Sequence, residues 1–157
     1  MKMTIEAVII QDDGSTYRKE LLEIEPSLHQ TSLPGLSIDK SKTLLKLTQQ
    51  VLVDAQSHAY MQRHRCCPEC GKQRRIKGYQ HRKFNTLFGQ VPITGYRLYR
   101  CSCEDSSSQT MSLLSEWLPD NVHPELKCLE TKWASLMSYG LTVDRLKEAL
   151  LRNSFSK

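Results

Sequence analysis

The sequence predicts an α+β fold made of an N-terminal β-hairpin with a helix, a central four-cysteine ribbon of antiparallel strands and a C-terminal helix pair. Three observations predict it. β-Branched residues flank a turn near the start, apolar residues then recur at helical spacing, and two cysteine pairs enclose a strand-like segment. The predicted parts are the hairpin and helix over 1–62, the ribbon over 63–103, a linker over 104–118 and the helices over 119–157.

Composition indicates a folded soluble protein. Hydrophobic residues make up 39% and charged residues 25% of the 157 positions. No run approaches the roughly 18–20 apolar residues that a membrane span needs, and the early run at 7–10 is too short for a signal peptide. We therefore expect a cytoplasmic protein whose six cysteines are reduced. In that compartment metal ligands or core residues are expected in preference to disulfides.

The first element is a predicted hairpin. Residues 4–10 and 16–24 form its strands, and Asp12-Asp13-Gly14-Ser15 supplies the turn. Such a hairpin is only marginally stable alone and must pack against another element. Two prolines and a glycine make 26–35 a linker.

The clearest helix spans residues 39–62, and Ser37 or Asp39 can cap its first turn. We expect it to cover the hairpin and to orient the cysteines that follow. Spacings of three and four residues define its apolar face, which consists of Leu44, Leu47, Val51, Ala55 and Ala59.

Strand-like residues return over 77–100, where Gly89-Gln90 makes the expected turn, and the serine-rich segment 104–110 reads as a connector. Alternation places Arg97 and Tyr99 on one side of a strand and Leu98 on the other.

The last part predicts two helices. Pro124 suits a first helical position after Asn121 or His123, Gly140 would end this helix, and Thr142 would cap a second over 143–151. The apolar face of the first of these helices consists of Leu126, Leu129, Trp133, Leu136 and Met137.

The cysteine spacing carries the chemistry. A Cys-x-x-Cys pair followed by Gly71 lets one tight turn direct two sulfurs at one ion, and 30 residues later a Cys-x-Cys pair completes the set. Four thiolates satisfy Zn²⁺ tetrahedrally and leave no open position, which is typical of a structural zinc ribbon. The predicted metal ligands are Cys67, Cys70, Cys101 and Cys103.

Alternatives to this ligand set stay open. The Cys-x-Cys pair is one residue shorter than usual, and Cys66 or His64 could replace one ligand, since Cys66 and Cys70 are also within reach of one another in sequence. The cysteines could also be buried core residues or a redox pair, although a redox Cys-x-x-Cys normally accompanies a βαβ pattern. Cys128 falls off the apolar face of its helix and reads as a lone, partly exposed thiol without a role.

Positive charge is concentrated in the same segment. Residues 61–103 hold ten lysines and arginines against one acidic residue, Glu69, whereas the rest of the chain is richer in acids. Solubility alone would not require one sign of charge, so the segment indicates contact with phosphates. We expect the aromatic residues among these charges, including Tyr79 and Tyr99, to form the core of the ribbon. The candidate DNA contacts are Lys72, Arg74, Arg75, Lys77, Arg82, Lys83, Arg97 and Arg100.

Most of the chain resembles a known family, the N-terminal region of ISKra-type bacterial insertion-sequence transposases. The resemblance begins in the hairpin and the helix before the cysteines, and its most specific stretch is LETKWASLMSYGLTV at 129–143. The other matching stretches are CPECG at 67–71, RIKG at 75–78, TLFGQV at 86–91 and YRCSC at 99–103.

The resemblance implies a zinc-binding, DNA-binding segment that acts in DNA transposition. In the family it precedes a helix-turn-helix and a catalytic domain that holds Mg²⁺ with acidic residues. Residues 151–157 do not look like that continuation, so we expect a truncated or domesticated form that is not an enzyme. Its expected partner is double-stranded DNA, as transposon ends or without sequence specificity, which would associate it with the nucleoid.

The alternative is a zinc-stabilised interaction module that docks or inhibits a full-length transposase, or associates with itself. No membrane partner is expected. An enzyme is the weakest hypothesis, since no Asp, Glu, His and Ser cluster has a spacing with a mechanism.

Overall fold

Nine helices and strands follow one another in the computed structural model, which describes residues 2–25, 35–104 and 108–149. They confirm the predicted α+β class. The chain divides into two compact units, Met1–Leu52 and Val53–Lys157, so the boundary falls inside a helix instead of after it. The elements are β1 (Met3–Ile10), β2 (Thr16–Ile24), α1 (Ile38–Arg63), β3 (Ile76–Thr86), β4 (Gly89–Tyr99), β5 (Thr110–Ser112), α2 (Leu113–Trp117), α3 (Pro124–Leu136) and α4 (Tyr139–Ala149).

The predicted N-terminal hairpin is confirmed. β1 and β2 pair antiparallel from Ile10↔Thr16 to Met3↔Ile24. In the turn, Asp13 Oδ1 accepts from the Ser15 N–H at 2.8 Å and Gly14 has φ +80°. The predicted linker at 26–35 lies outside the described residues except for Gly35.

α1 matches the predicted helix within one residue at each end, and Ser37 Oγ accepts from the Lys40 N–H at 3.3 Å. The expected apolar face is wrong at Ala59, which is exposed. Val53, Ser57 and Met61 are buried instead, because this half of the helix belongs to the second unit and Met61 joins the core there. That the helix covers the hairpin stays a prediction.

The central sheet has the order β3-β4-β5, all antiparallel. The predicted turn at Gly89-Gln90 is wrong, since Thr86 pairs with Gly89 and the loop is Leu87-Phe88. The Thr86 hydroxyl explains the shift, because it donates to the Gly89 carbonyl at 2.8 Å and accepts from the Phe88 N–H at 3.3 Å. Gly89, at φ +115°, then begins β4.

The segment 104–118 is not the expected linker, because β5 and α2 lie within it. The side chains of Leu113 and Leu114 are fully buried. Burying these leucines favours order over a connector. The main core of the second unit consists of Val53, Met61, Phe84, Val91, Ile93, Leu98, Leu113 and Leu114.

The start of α3 at Pro124 is confirmed, with His123 as its N-cap. Residues 121–123 bridge to β3, because the Asn85 N–H donates to the Asn121 carbonyl and the His123 N–H to that of Asn85, both at 2.8 Å. No helix in the described ranges combines the length and the hydropathy that crossing a membrane requires.

The junction between α3 and α4 differs from the prediction. α3 ends at Leu136, which is exposed, and extended backbone at Met137 breaks the helix. Gly140 lies inside α4, and Thr142 is buried there instead of capping it. The Thr142 N–H donates to the Ser138 carbonyl at 2.9 Å, so the helix begins earlier than expected.

Candidate metal centre and basic ribbon surface

The first cysteine pair lies in a tight turn after α1. The Gly71 N–H donates to the Cys67 carbonyl and the Cys67 N–H to the Lys72 carbonyl, both at 2.9 Å. Gly71 has φ +69°, a conformation that costs glycine little. The glycine therefore reverses the chain just after Cys70, as its position predicts.

The second pair follows β4, and the antiparallel β3–β4 pairing brings it back to the first. The four Sγ atoms of Cys67, Cys70, Cys101 and Cys103 lie within 4.8 Å of one another. The Sγ atoms of Cys67 and Cys103 are 3.4 Å apart, as are those of Cys70 and Cys101. A tetrahedral ion with metal–sulfur bonds of about 2.3 Å needs edges of roughly 3.8 Å. The four sulfurs can therefore hold one metal ion.

The positions of the sulfurs and of the two alternative ligands, Cys66 and His64, test the alternatives to the predicted ligand set. Sulfurs 3.4 Å apart are not disulfide-bonded, since an S–S bond is about 2.05 Å long. Cys66 and His64 lie outside the cluster. His64 instead stacks on Tyr60 with ring centroids 4.0 Å apart, and its Nδ1 lies 2.9 Å from the Tyr60 carbonyl oxygen. Cys128 is exposed, as predicted.

Hydrogen bonds within the cluster shift the pKa values of Cys101 and Cys103 in opposite directions. The Cys103 backbone N–H, with hydrogen bonds from the Cys103 and Cys70 thiols, lowers the pKa of Cys101 to about 6. The hydrogen bond to Cys101 raises the pKa of Cys103 in turn. Metal ligation requires thiolates, so a divalent ion that binds the four sulfurs would displace their protons.

A buried ion pair supports the metal end of the ribbon. Arg74 Nε donates to Glu104 Oε1 at 2.9 Å, and Arg74 Nη1 donates to the carbonyl oxygens of His64 and Cys66 at 3.1 and 3.3 Å. Arg100 Nη1 donates to Glu104 Oε2 at 3.4 Å. The hydrogen bond from Arg74 lowers the pKa of Glu104. Two candidate DNA contacts, Arg74 and Arg100, thus have partners within the protein.

Glu104 is a site residue that the sequence did not reveal, because it begins a segment that reads as a connector. Cys67 Sγ lies 3.5 Å from its Oε1. The available signal was its position directly after the second cysteine pair, because residues 71–103 contain no acid and Glu104 is the first one after them.

Arg82 also has internal partners. Its Nη1 donates to the Leu118 carbonyl and its Nη2 to Ser115 Oγ, both at 2.8 Å. Leu118 is the C-cap of α2, so Arg82 joins β3 to the end of that short helix.

The other five candidate DNA contacts are exposed and form no ion pair with any described residue. Two of them lie beside one aromatic ring, with Arg75 Cζ 5.8 Å and Lys77 Nζ 5.7 Å from the ring centroid of Tyr99. We refer to these five as the exposed cations, and they are Lys72, Arg75, Lys77, Lys83 and Arg97.

The expectation that the aromatic residues form the core is only partly right. Phe84 is buried, and Tyr96 is half-buried. Tyr79 and Tyr99 are 62% and 40% exposed. Tyr99 shares the exposed side of β4 with Arg97, as strand alternation predicts, while Leu98 between them is buried.

Comparison with family models, curated proteins and solved structures found no match in any of the three. The resemblance to insertion-sequence transposases stays a prediction.

Proposed function

We propose that this chain is a DNA-binding zinc-ribbon segment of an insertion-sequence transposase. One Zn²⁺, held by Cys67, Cys70, Cys101 and Cys103, fixes the ribbon, and the exposed cations contact the phosphates of double-stranded DNA. The sequence resemblance supports the transposase origin.

The observation that carries the proposal is the division of the basic residues. Three of the eight candidates make internal contacts, and the remaining five project from a ribbon without an acidic residue between Cys70 and Cys103. A surface that served only solubility would mix the two signs of charge. Exposed cations that form no ion pair with a described residue can neutralise phosphates and release counterions from DNA.

The proposed role is binding and not strand transfer. Among the residues that the structure describes, the cysteine cluster is the one group with metal-ligand geometry. Its four sulfurs leave no position for water or substrate, so the ion is structural. We propose no reaction for these residues.

Duplex binding tests the proposal. Zinc-loaded protein is titrated onto a labelled duplex at several salt concentrations, alongside the double variant Arg75→Gln/Arg97→Gln. We expect salt-sensitive binding whose slope of log K against log salt falls by about 0.9 for each phosphate that the variant no longer neutralises. The matched control is Lys40→Gln/Lys132→Gln, which removes two exposed lysines outside the ribbon and leaves the slope unchanged. Absence of binding, or equal slopes for both double variants, contradicts the proposal.

A second candidate function is docking to a protein partner, either a full-length transposase or another copy of the chain. The observation that favours it is exposed apolar surface at the junction of α3 and α4, where Leu136 is 70%, Tyr139 79% and Leu141 54% exposed. Sedimentation of the chain alone and with a full-length transposase carrying the same segment tests this function. Association that the double variant Leu136→Ser/Tyr139→Ser abolishes would support docking. A chain that stays monomeric and does not bind the transposase would exclude docking.

A further inference from the structure

Tyr99 is the last residue of β4, and two cations lie over its partly exposed ring. The side chain keeps 40% of its surface exposed, although tyrosine loses hydrophobic free energy when its ring faces water. Arg75 and Lys77 are the neighbouring cations, at 5.8 and 5.7 Å from the ring centroid. Exposed aromatic surface next to positive charge fits a ligand that carries both a flat apolar face and negative charge.

The backbone holds this arrangement in place. The Tyr99 N–H donates to the Arg75 carbonyl at 2.9 Å, so the aromatic residue and one of its cations are joined directly. The extra residue of a β-bulge is Lys77, because Ile76 pairs with Leu98 and Gly78 with Arg97. Bulges redirect side chains locally, and here the bulged residue reaches the ring of Tyr99. The backbone therefore positions the three residues before a ligand binds.

The two cations lie over the ring, but neither is in stacking contact with it. Groups stacked in contact with a ring lie about 3.5–4 Å from it, and both cations are farther from its centroid. Both side chains are long and exposed, so they can move from the ring to the phosphates on either side of a base that stacks there. Neither cation forms an ion pair with any residue in the described part of the chain.

We propose that Tyr99, Arg75 and Lys77 form a stacking site for an unpaired base, so that the ribbon binds single-stranded nucleic acid in addition to duplex. The inference rests on the proposed function, because the same exposed cations supply the phosphate contacts. It extends that function, since bases inside a duplex have both faces stacked on neighbours and offer none to a protein ring. Aromatic platforms beside basic residues are the general means by which proteins hold single strands.

The experiment compares two single-stranded ligands that have equal charge. One is an oligothymidine and the other an oligomer of the same length made of abasic sites, both titrated by fluorescence anisotropy onto the zinc-loaded full chain. The wild-type protein should bind the oligothymidine more tightly. Tyr99→Leu should lower that affinity roughly 5- to 150-fold and leave the affinity for the abasic strand unchanged. Tyr99→Phe keeps the ring and should stay within twofold of wild type.

Matched variants separate the site from its surroundings. Tyr79→Leu removes the exposed tyrosine of β3, whose ring lies edge-on to Tyr96 with centroids 5.8 Å apart. It should change the affinity less than twofold. Arg75→Gln/Lys77→Gln should weaken binding of both single strands. Zinc content and circular dichroism show that each variant is folded.

Three results would overturn the inference: equal wild-type affinity for the two strands, a Tyr99→Leu loss that extends to the abasic strand, or a Tyr79→Leu loss as large as that of Tyr99→Leu. None of these results contradicts the proposed binding of duplex DNA. That function fails separately, if the salt-dependent affinity for duplex DNA is absent.

Discussion

Arg74 donates its Nε–H to Glu104 Oε1 at 2.9 Å across 30 residues of sequence. Because Arg74 also donates to the carbonyls of His64 and Cys66, one guanidinium joins the end of α1, the first cysteine turn and the residue after the last cysteine. The next residue, Arg75, projects outward. Two adjacent arginines thus have opposite roles, one internal and one available to a ligand.

Substituting these two arginines separately tests that division. Arg74→Ala leaves the largely buried Glu104 carboxylate without its main partner, and breaking such a pair costs about 3 kcal/mol or more. Arg75→Ala removes an exposed side chain without an ion pair and should change the free energy of unfolding by less than about 0.5 kcal/mol. Urea unfolding of the zinc-loaded protein measures both. Equal effects of the two substitutions would argue against the internal role of Arg74.

Metal content tests the cysteine cluster. Cys67→Ser removes one of four sulfurs and should lower the bound zinc well below one ion per chain, because oxygen from serine does not replace a thiolate ligand. Cys66→Ser is the matched control, since this neighbouring thiol is exposed and outside the cluster. Elemental mass spectrometry on untagged protein gives the stoichiometry, with one ion expected for wild type and for Cys66→Ser. Full zinc content in Cys67→Ser would mean that the ligand set is different.

Packing between the sheet and α2 is tested at Gly95. A Cβ at this position would lie 2.4 Å from Leu114 Cγ and 2.8 Å from Met61 Cε, which is closer than carbon atoms approach. Since Leu114 is fully buried, Gly95→Ala should destabilise the fold by about 1–3 kcal/mol. Gly78→Ala, in the facing strand, meets no atom within 4 Å and should be neutral or slightly stabilising. Urea unfolding that ranks these two variants equally would show that α2 does not pack against β4.

Local sequence patterns predicted the elements whose apolar residues recur at regular spacing. The remaining elements depend on tertiary contacts. The hairpin, α1 and the cysteine turn follow from β-branched runs, helical spacing and the glycine after Cys70. β5 and α2 were missed because the serines before Leu113 are typical of a loop. The burial of Leu113 depends on contacts with the sheet, which the local sequence does not reveal. Charge alone could not separate Arg74 from Arg75, since their difference lies in Glu104, which is distant in sequence. The exposure of Tyr99 was missed because tyrosine is intermediate between the buried and the exposed residue types, so its identity alone does not decide its burial.

Arg82 and Lys83 provide a second adjacent pair in which stability and binding should separate. Arg82→Met removes two hydrogen bonds of a charged donor to the end of α2, and should lower the free energy of unfolding by about 2 kcal/mol. Lys83→Met removes an exposed cation from β3 and should alter stability by less than about 0.5 kcal/mol. Urea unfolding distinguishes the two.

Duplex binding by the same pair should show the reverse order. If Lys83 contacts a phosphate, Lys83→Met lowers the salt slope by about 0.9, whereas folded Arg82→Met keeps the wild-type slope because its guanidinium already has partners within the protein. Anisotropy titrations at several salt concentrations, under conditions in which both variants are folded, give the slopes. A lowered slope for Arg82→Met with an unchanged one for Lys83→Met would mean that the DNA-contacting surface is not the one formed by the exposed cations. It would then have to include the side of the ribbon that faces α2.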